Sequence, residues 1–208
     1  MHITEGVLPF SILIIGWILT TIFLYLSIKE LRRASDKISL VALFSSLFFV
    51  TSLIHVPLGP TSVHLTLNGL IGIILGRLSY LAIFVGLFFQ AIFFNFGGLF
   101  VLGVNAFNMA SPAVLFYYLA KPFLKKNSRI LNFIGGFIAG FGSIFLAALL
   151  VVLELGITNK DFISVSKLAV EAYIPISFLE GLITGVISFL FKDFIKTLQE
   201  EKGEKNYF

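Results

Sequence analysis

With 208 residues, 58% of them apolar and 12% charged, the chain departs from soluble domains, which run nearer half apolar and a quarter charged. A mean hydropathy of +1.01 and repeated apolar runs describe an all-α polytopic membrane protein: a single integral membrane domain over 1–208, with no room for a soluble one. The absence of cysteine excludes disulfides, iron–sulfur clusters and thiolate metal sites, and the net charge of +4 carries topology rather than nucleic-acid chemistry.

The chain opens on Met1-His2-Ile3-Thr4-Glu5-Gly6-Val7-Leu8-Pro9, an arm with no Lys or Arg. The apolar run behind it ends in Ser27-Ile28-Lys29 without a cleavage signature. The first helix is therefore expected to be retained, with Met1 or its successor as the terminus. Apolar segments follow at about 8–28, 38–57, 62–76, 79–95, 99–120, 130–153 and 170–191, so a helical bundle of about seven spans is expected over 10–191. Residues 192–208 form a polar tail. No Gly-x-x-x-x-Gly-Lys-Ser/Thr loop is present, so ATP hydrolysis by the chain itself is not expected.

The charges orient these spans. With the N-terminus outside and seven crossings, Lys29, Arg32, Arg33, Lys37, Arg77, Lys121, Lys125, Lys126, Arg129, Lys192, Lys196, Lys202 and Lys205 lie inside. Only Lys160 and Lys167 lie outside. That bias predicts an outer N-terminus and a cytoplasmic C-terminus. The segment 62–76 is short for roughly 30 Å of hydrocarbon. A re-entrant reading would invert every later segment and put 121–129 outside, so the charges favour a tilted crossing.

The same map brings all three histidines to one side: His2 in the arm, His55 at the end of the second helix, and His64 at the start of the third. A free Met1 amine, the His2 backbone nitrogen and the His2 imidazole can reach one metal ion through fused chelate rings, and His64 can supply a fourth nitrogen. Four nitrogens in a plane suit Ni²⁺ or Cu²⁺ and disfavour Zn²⁺, which prefers a tetrahedron. The competing readings are plain: His2 as an interfacial polar residue, His64 bonded to a neighbouring carbonyl, and His55 as structural.

Thr61 or Ser62 can cap the third helix. That helix would set His64 and Asn68 four residues apart on one face. Asn105 and Asn108 put two amides inside a span, where they either brace the binding loop or join helices. Glu180 is ionisable in mid-helix and is a functional candidate on that ground alone. Glu5 is placed to hold the arm against the helices, whereas Glu154 and Glu171 read as solvated at the outer interface. The pairs Gly72/Gly76, Gly136/Gly140 and Gly181/Gly185 are spaced for close helix packing.

These motifs, in order, resemble one family. Met1-His2-Ile3 with Glu5-Gly6 and Leu8-Pro9, Ser62-Val63-His64, Gly97-Gly98, Leu102-Gly103-Val104-Asn105, Phe107-Asn108-Met109 and Glu180-Gly181-Leu182-Ile183-Thr184 are similar to the CbiM/NikM substrate-binding components of energy-coupling factor transporters. The resemblance implies a seven-helix fold, one N-terminal helix more than the vitamin-type components. It implies Co²⁺ or Ni²⁺ as substrate, bound by Met1, His2 and His64, with Glu5, Asn68, Asn105, Asn108 and Glu180 around them and no permanent cofactor. It also implies a multi-pass location in a prokaryotic cell membrane. The implied partners are a transmembrane coupling subunit, a cytoplasmic ATPase pair and a small auxiliary membrane subunit, with ATP hydrolysis left to them. Cobalt-labelled relatives often carry Ser-His-Pro-Thr-Gly at the second histidine. Here the run is Val63-His64-Leu65-Thr66-Leu67-Asn68-Gly69, which leaves nickel and cobalt both open. The rivals are a structural or assembly subunit without ligand, and a membrane-embedded enzyme using Glu180 with His64.

Overall fold

The computed structural model describes residues 2–53, 55–58, 61–159, 162–195 and 197. Each apolar segment holds one helix: α1 (Phe10–Arg33), α2 (Ile38–Thr51), α3 (Asn68–Leu75), α4 (Ser79–Phe94), α5 (Leu102–Leu124), α6 (Arg129–Thr158) and α7 (Ile163–Leu190). Four helical stretches are long and apolar enough to cross a membrane: Phe10–Arg33, Asn68–Phe94, Arg129–Thr158 and Val170–Leu190. The architecture is that of a polytopic helical membrane protein.

The chain departs from helix between α2 and α3. Helix α2 stops at Thr51, and strands β1 (His55–Leu58) and β2 (Thr61–His64) form an antiparallel hairpin that pairs His55 with His64 in register. The second helix was expected to reach 57 and the third to begin at 62. Local chemistry explains the difference. A residue before proline is pushed out of the α region, and Pro57 lacks the N–H that a helix would use. No Thr61 or Ser62 cap exists, because α3 begins only at Asn68. Before it, Leu67 takes a left-handed conformation (φ 56°, ψ 29°). His64 therefore stands on a strand, and it shares no helix face with Asn68.

Helix α3 has eight residues, all of them buried, which amounts to about 12 Å of helix. It runs beside α5 in the same direction: Asn68 meets Met109, Gly72 meets Ala113 and Arg77 meets Tyr118. Gly76 then turns the chain at φ 59°, ψ −126°, a region open to glycine alone. Helix α4 returns alongside α2, where Gln90 bonds Ser52. Strand β2 and the irregular residues 65–67 lead into α3. Non-helical backbone is tolerated at such depth only where protein surrounds it.

Helix α1 lies on the outside, with Phe10, Ile15, Ile18, Ile22 and Tyr25 exposed in a pattern suited to lipid. It is fixed to α5 by close backbone approach at Gly16 and Gly103. Thr20 Oγ1 adds to this by donating to the Gly103 carbonyl at 2.6 Å. The core fills the space among α3, α4, α5 and α6. A second cluster of Ile3, Leu8, Val101, Val104, Val151 and Leu155 lies under the arm.

Helices α3, α6 and α7 converge where Gly69 faces Ala139 and Gly140, and Gly140 faces the backbone of Glu180 and Gly181. A side chain at either glycine would meet main chain, which cannot fold away. Gly140→Val is expected to lower stability by about 1–3 kcal/mol or more, read as a lower melting temperature in detergent. Gly156→Val, at a glycine with open space around it, is the control expected to stay near wild type.

Candidate metal centre

Two segments 62 positions apart in sequence meet at the arm end of the bundle. The rings of His2 and His64 stack with centroids 4.8 Å apart and planes 27° apart. Both residues are buried, at 5% and 2% exposure. Phe96 closes one side, its ring centroid 6.2 Å from that of His2.

The arm is held by a continuous set of bonds. Ile3 N–H donates to Asn105 Oδ1 at 2.8 Å, and Asn105 Nδ2 donates back to the Ile3 carbonyl at 3.1 Å. The asparagine amide thus treats the arm as a neighbouring strand would. Glu5 N–H donates to the Gly97 carbonyl at 2.8 Å, and Phe100 N–H donates to Glu5 Oε1 at 2.7 Å. The turn between α4 and α5 accepts this because Gly97 and Gly98 both sit at positive φ. A side chain at Gly98 would occupy the space of the Glu5 carboxylate. Trp17 Nε1 secures the far side by donating to the Phe100 carbonyl at 2.9 Å. Ile3, fully buried, adds about 2 kcal/mol of apolar burial.

The His64 side is held from α7. Thr66 N–H and Leu67 N–H donate to Glu180 Oε1 at 2.6 and 2.7 Å, and Thr66 Oγ1 lies 3.4 Å from the same oxygen. Glu180 has no solvent exposure. Left-handed backbone at a non-glycine residue such as Leu67 costs roughly 1–2 kcal/mol, and these bonds offset it.

The remaining sequence candidates divide. Asn68 opens α3 and donates to the Met109 carbonyl at 3.1 Å. Asn108 donates to Glu154 Oε2 at 2.6 Å, so Glu154 is a hydrogen-bonded partner of α5 and not a merely solvated residue. Met1 lies outside the described residues, as does the side chain of His55. Sequence reasoning missed Phe96, Trp17 and Thr66. Gly97-Gly98 was the only local signal that the α4–α5 turn must accept a close neighbour.

Among the described residues, no three His, Cys, Asp or Glu side chains gather to hold a metal ion. Among the described residues, the nitrogen donors that face each other here are the imidazoles of His2 and His64. A helical membrane bundle that buries two facing imidazoles holds a pair of nitrogen donors of the kind a transition-metal ion takes. The family comparison agrees: the model described as CbiM, cobalt uptake substrate-specific transmembrane region, matches residues 2–197, and the chain belongs to that family. It is a membrane component of cobalt and nickel transport.

A Haemophilus influenzae protein named for metal transport is 39% identical over 198 residues, covering 92% of this chain and 94% of the relative. The fused nickel transport protein NikMN of Rhodobacter capsulatus is 31% identical, covering 85% of this chain and 53% of the relative. A crystal structure of a truncated transition metal transporter has the same fold, with a TM-score of 0.72 at 24% identity, covering 97% of this chain and 99% of that one.

Removing the Asn105 bracket should free the arm. Asn105→Ala is expected to cost about 1–3 kcal/mol through the unpaired Ile3 peptide. The check is hydrogen exchange at the Ile3 and Glu5 amides, which should lose protection while the α5–α6 core keeps it.

Proposed function

We propose that the arm and His64 capture a divalent nickel or cobalt ion as the substrate of an ATP-driven uptake system. The donors are the amine of Met1 as terminal residue, the His2 backbone nitrogen, the His2 imidazole and the His64 imidazole. The observation that carries this reading is the 4.8 Å separation of the two buried rings. Two imidazoles bound at right angles to one ion, at about 2 Å per metal–nitrogen bond, bring their ring centres to roughly 4–5 Å. In a terminal chelate the amine and the His2 ring flank the backbone nitrogen, so a fourth ligand falls next to the His2 ring. The His64 ring, beside that of His2, supports its choice as that ligand.

The scarcity of side-chain ligands favours the same set. With two imidazoles and no third His, Asp or Glu gathered with them among the described residues, backbone and terminal nitrogens complete the coordination. Such donors suit nickel and cobalt better than hard cations, which take oxygen.

The positive-inside distribution supports seven crossings with the arm outside and residues 192–208 in the cytoplasm. In this arrangement the ion sheds water at the outer face, and the arm and the β1–β2 hairpin enclose it. A coupling subunit and an ATPase pair of the energy-coupling factor type, with a small auxiliary membrane subunit, then supply the energy to release it inside.

Equilibrium Ni²⁺ and Co²⁺ binding to purified protein tests the ligand set. His2→Ala, His64→Ala and an N-terminal extension are each expected to weaken binding at least tenfold. Wild-type affinity in the extended protein would remove the terminal amine from the set. Because metal ligands must be deprotonated, affinity should also fall as pH is lowered, which the same titration at several pH values will read.

A further inference from the structure

Glu180 sits on α7, far from the arm in sequence. Its Oε1 accepts from two consecutive main-chain N–H groups, those of Thr66 and Leu67. These are the second and third residues after His64. They precede α3, and Leu67 is held left-handed there, so no helical or strand partner is supplied to them by the local fold. In a buried segment such donors require an acceptor. The acceptor here comes from a helix that can stand this close because Gly140 lets α7 approach main chain to main chain.

We propose that Glu180 is a positioning residue for metal capture: it sets the depth and direction at which β2 delivers His64 to the His2 ring. This rests on the reading that His64 binds the ion. It makes α7 part of the binding geometry, although α7 supplies no ligand. Glu180 acts as a hydrogen-bond acceptor at a fixed point, so the acceptor matters and the charge does not. A rotation or shift of α7 would move His64 relative to His2, which gives the bundle a mechanical route to loosen the ion without displacing the arm.

The test compares Glu180→Leu, which strips the acceptor, with Glu180→Gln, which keeps one. His64→Ala serves as reference and Ni²⁺ as the probe. Affinity is measured by calorimetry, and the ligand-field absorption band is recorded at saturating Ni²⁺. Glu180→Leu is expected to bind roughly ten- to a hundred-fold more weakly, with its saturated band displaced toward that of His64→Ala, because one nitrogen has left the ion. Glu180→Gln is expected to return both readouts close to wild type.

A wild-type band in saturated Glu180→Leu overturns the proposal, whatever happens to its melting temperature, since a merely structural residue would change stability alone. Gln as defective as Leu also overturns it, by assigning the effect to charge. If Glu180→Leu does not fold, Glu180→Asp, with its acceptor withdrawn by one methylene, is judged by the same band. Should His64→Ala keep wild-type affinity and band, the capture reading itself fails, and that result is separate from any outcome at Glu180.

Discussion

Backbone groups inside an apolar bundle must find partners, and the rest of this structure is arranged around one place where helix does not supply them. Residues 65–67 pass through the protein as irregular chain. Thr66 and Leu67 present two N–H groups that would each cost several kcal/mol if left unpaired in hydrocarbon. The Glu180 carboxylate meets both. That bond needs α7 close to α3, and the closeness needs glycine at 69 and 140. A short helix and two glycines thus share one problem of hydrogen bonding, solved directly behind the strand that carries His64.

The arm poses the opposite problem. It has too few residues to form an element of its own, so it borrows one. Asn105 offers its side-chain amide as a substitute for the edge of a sheet, and the α4–α5 turn offers the Gly97 carbonyl and the Phe100 N–H. The result is an extended segment bound along its length, with Ile3 as its apolar anchor. Both halves of the centre are therefore fixed through main chain, from α5 on one side and α7 on the other.

Much of the bundle was legible in the sequence, because long apolar runs bounded by Lys and Arg leave few alternatives in a membrane. The hairpin was not. Residues 55–64 hold only Val56, Leu58 and Val63 as aliphatic side chains, too few to show a strand alternation, and the extended form of β1 and β2 comes from Pro57 and from pairing between strands. The residues around the centre were visible as types out of place: an amide at 105, an acid at 180, a glycine pair at 97 and 98. Their partners were not visible, since Asn105 and Glu180 bind backbone groups that every residue carries. Sequence can mark an expensive side chain. It cannot say which of two hundred identical peptide groups it will serve. Glu154 was misjudged for a related reason: nothing local distinguishes a carboxylate bathed in water from one bonded to Asn108.

The bracket between Asn105 and Ile3 acts as a counting device. It grips both the N–H and the C=O of a single residue, so it fixes which side of the chain faces inward at that point. His2 is the immediate neighbour, and its orientation is inherited from that grip with no slack between. The stretch from Gly6 to Pro9 lies on the far side of the bracket from the histidine. One residue added between His2 and Ile3 would place a different side chain against His64. The order His2-Ile3 ahead of the clamp therefore decides which side chain meets His64, as much as the clamp itself does.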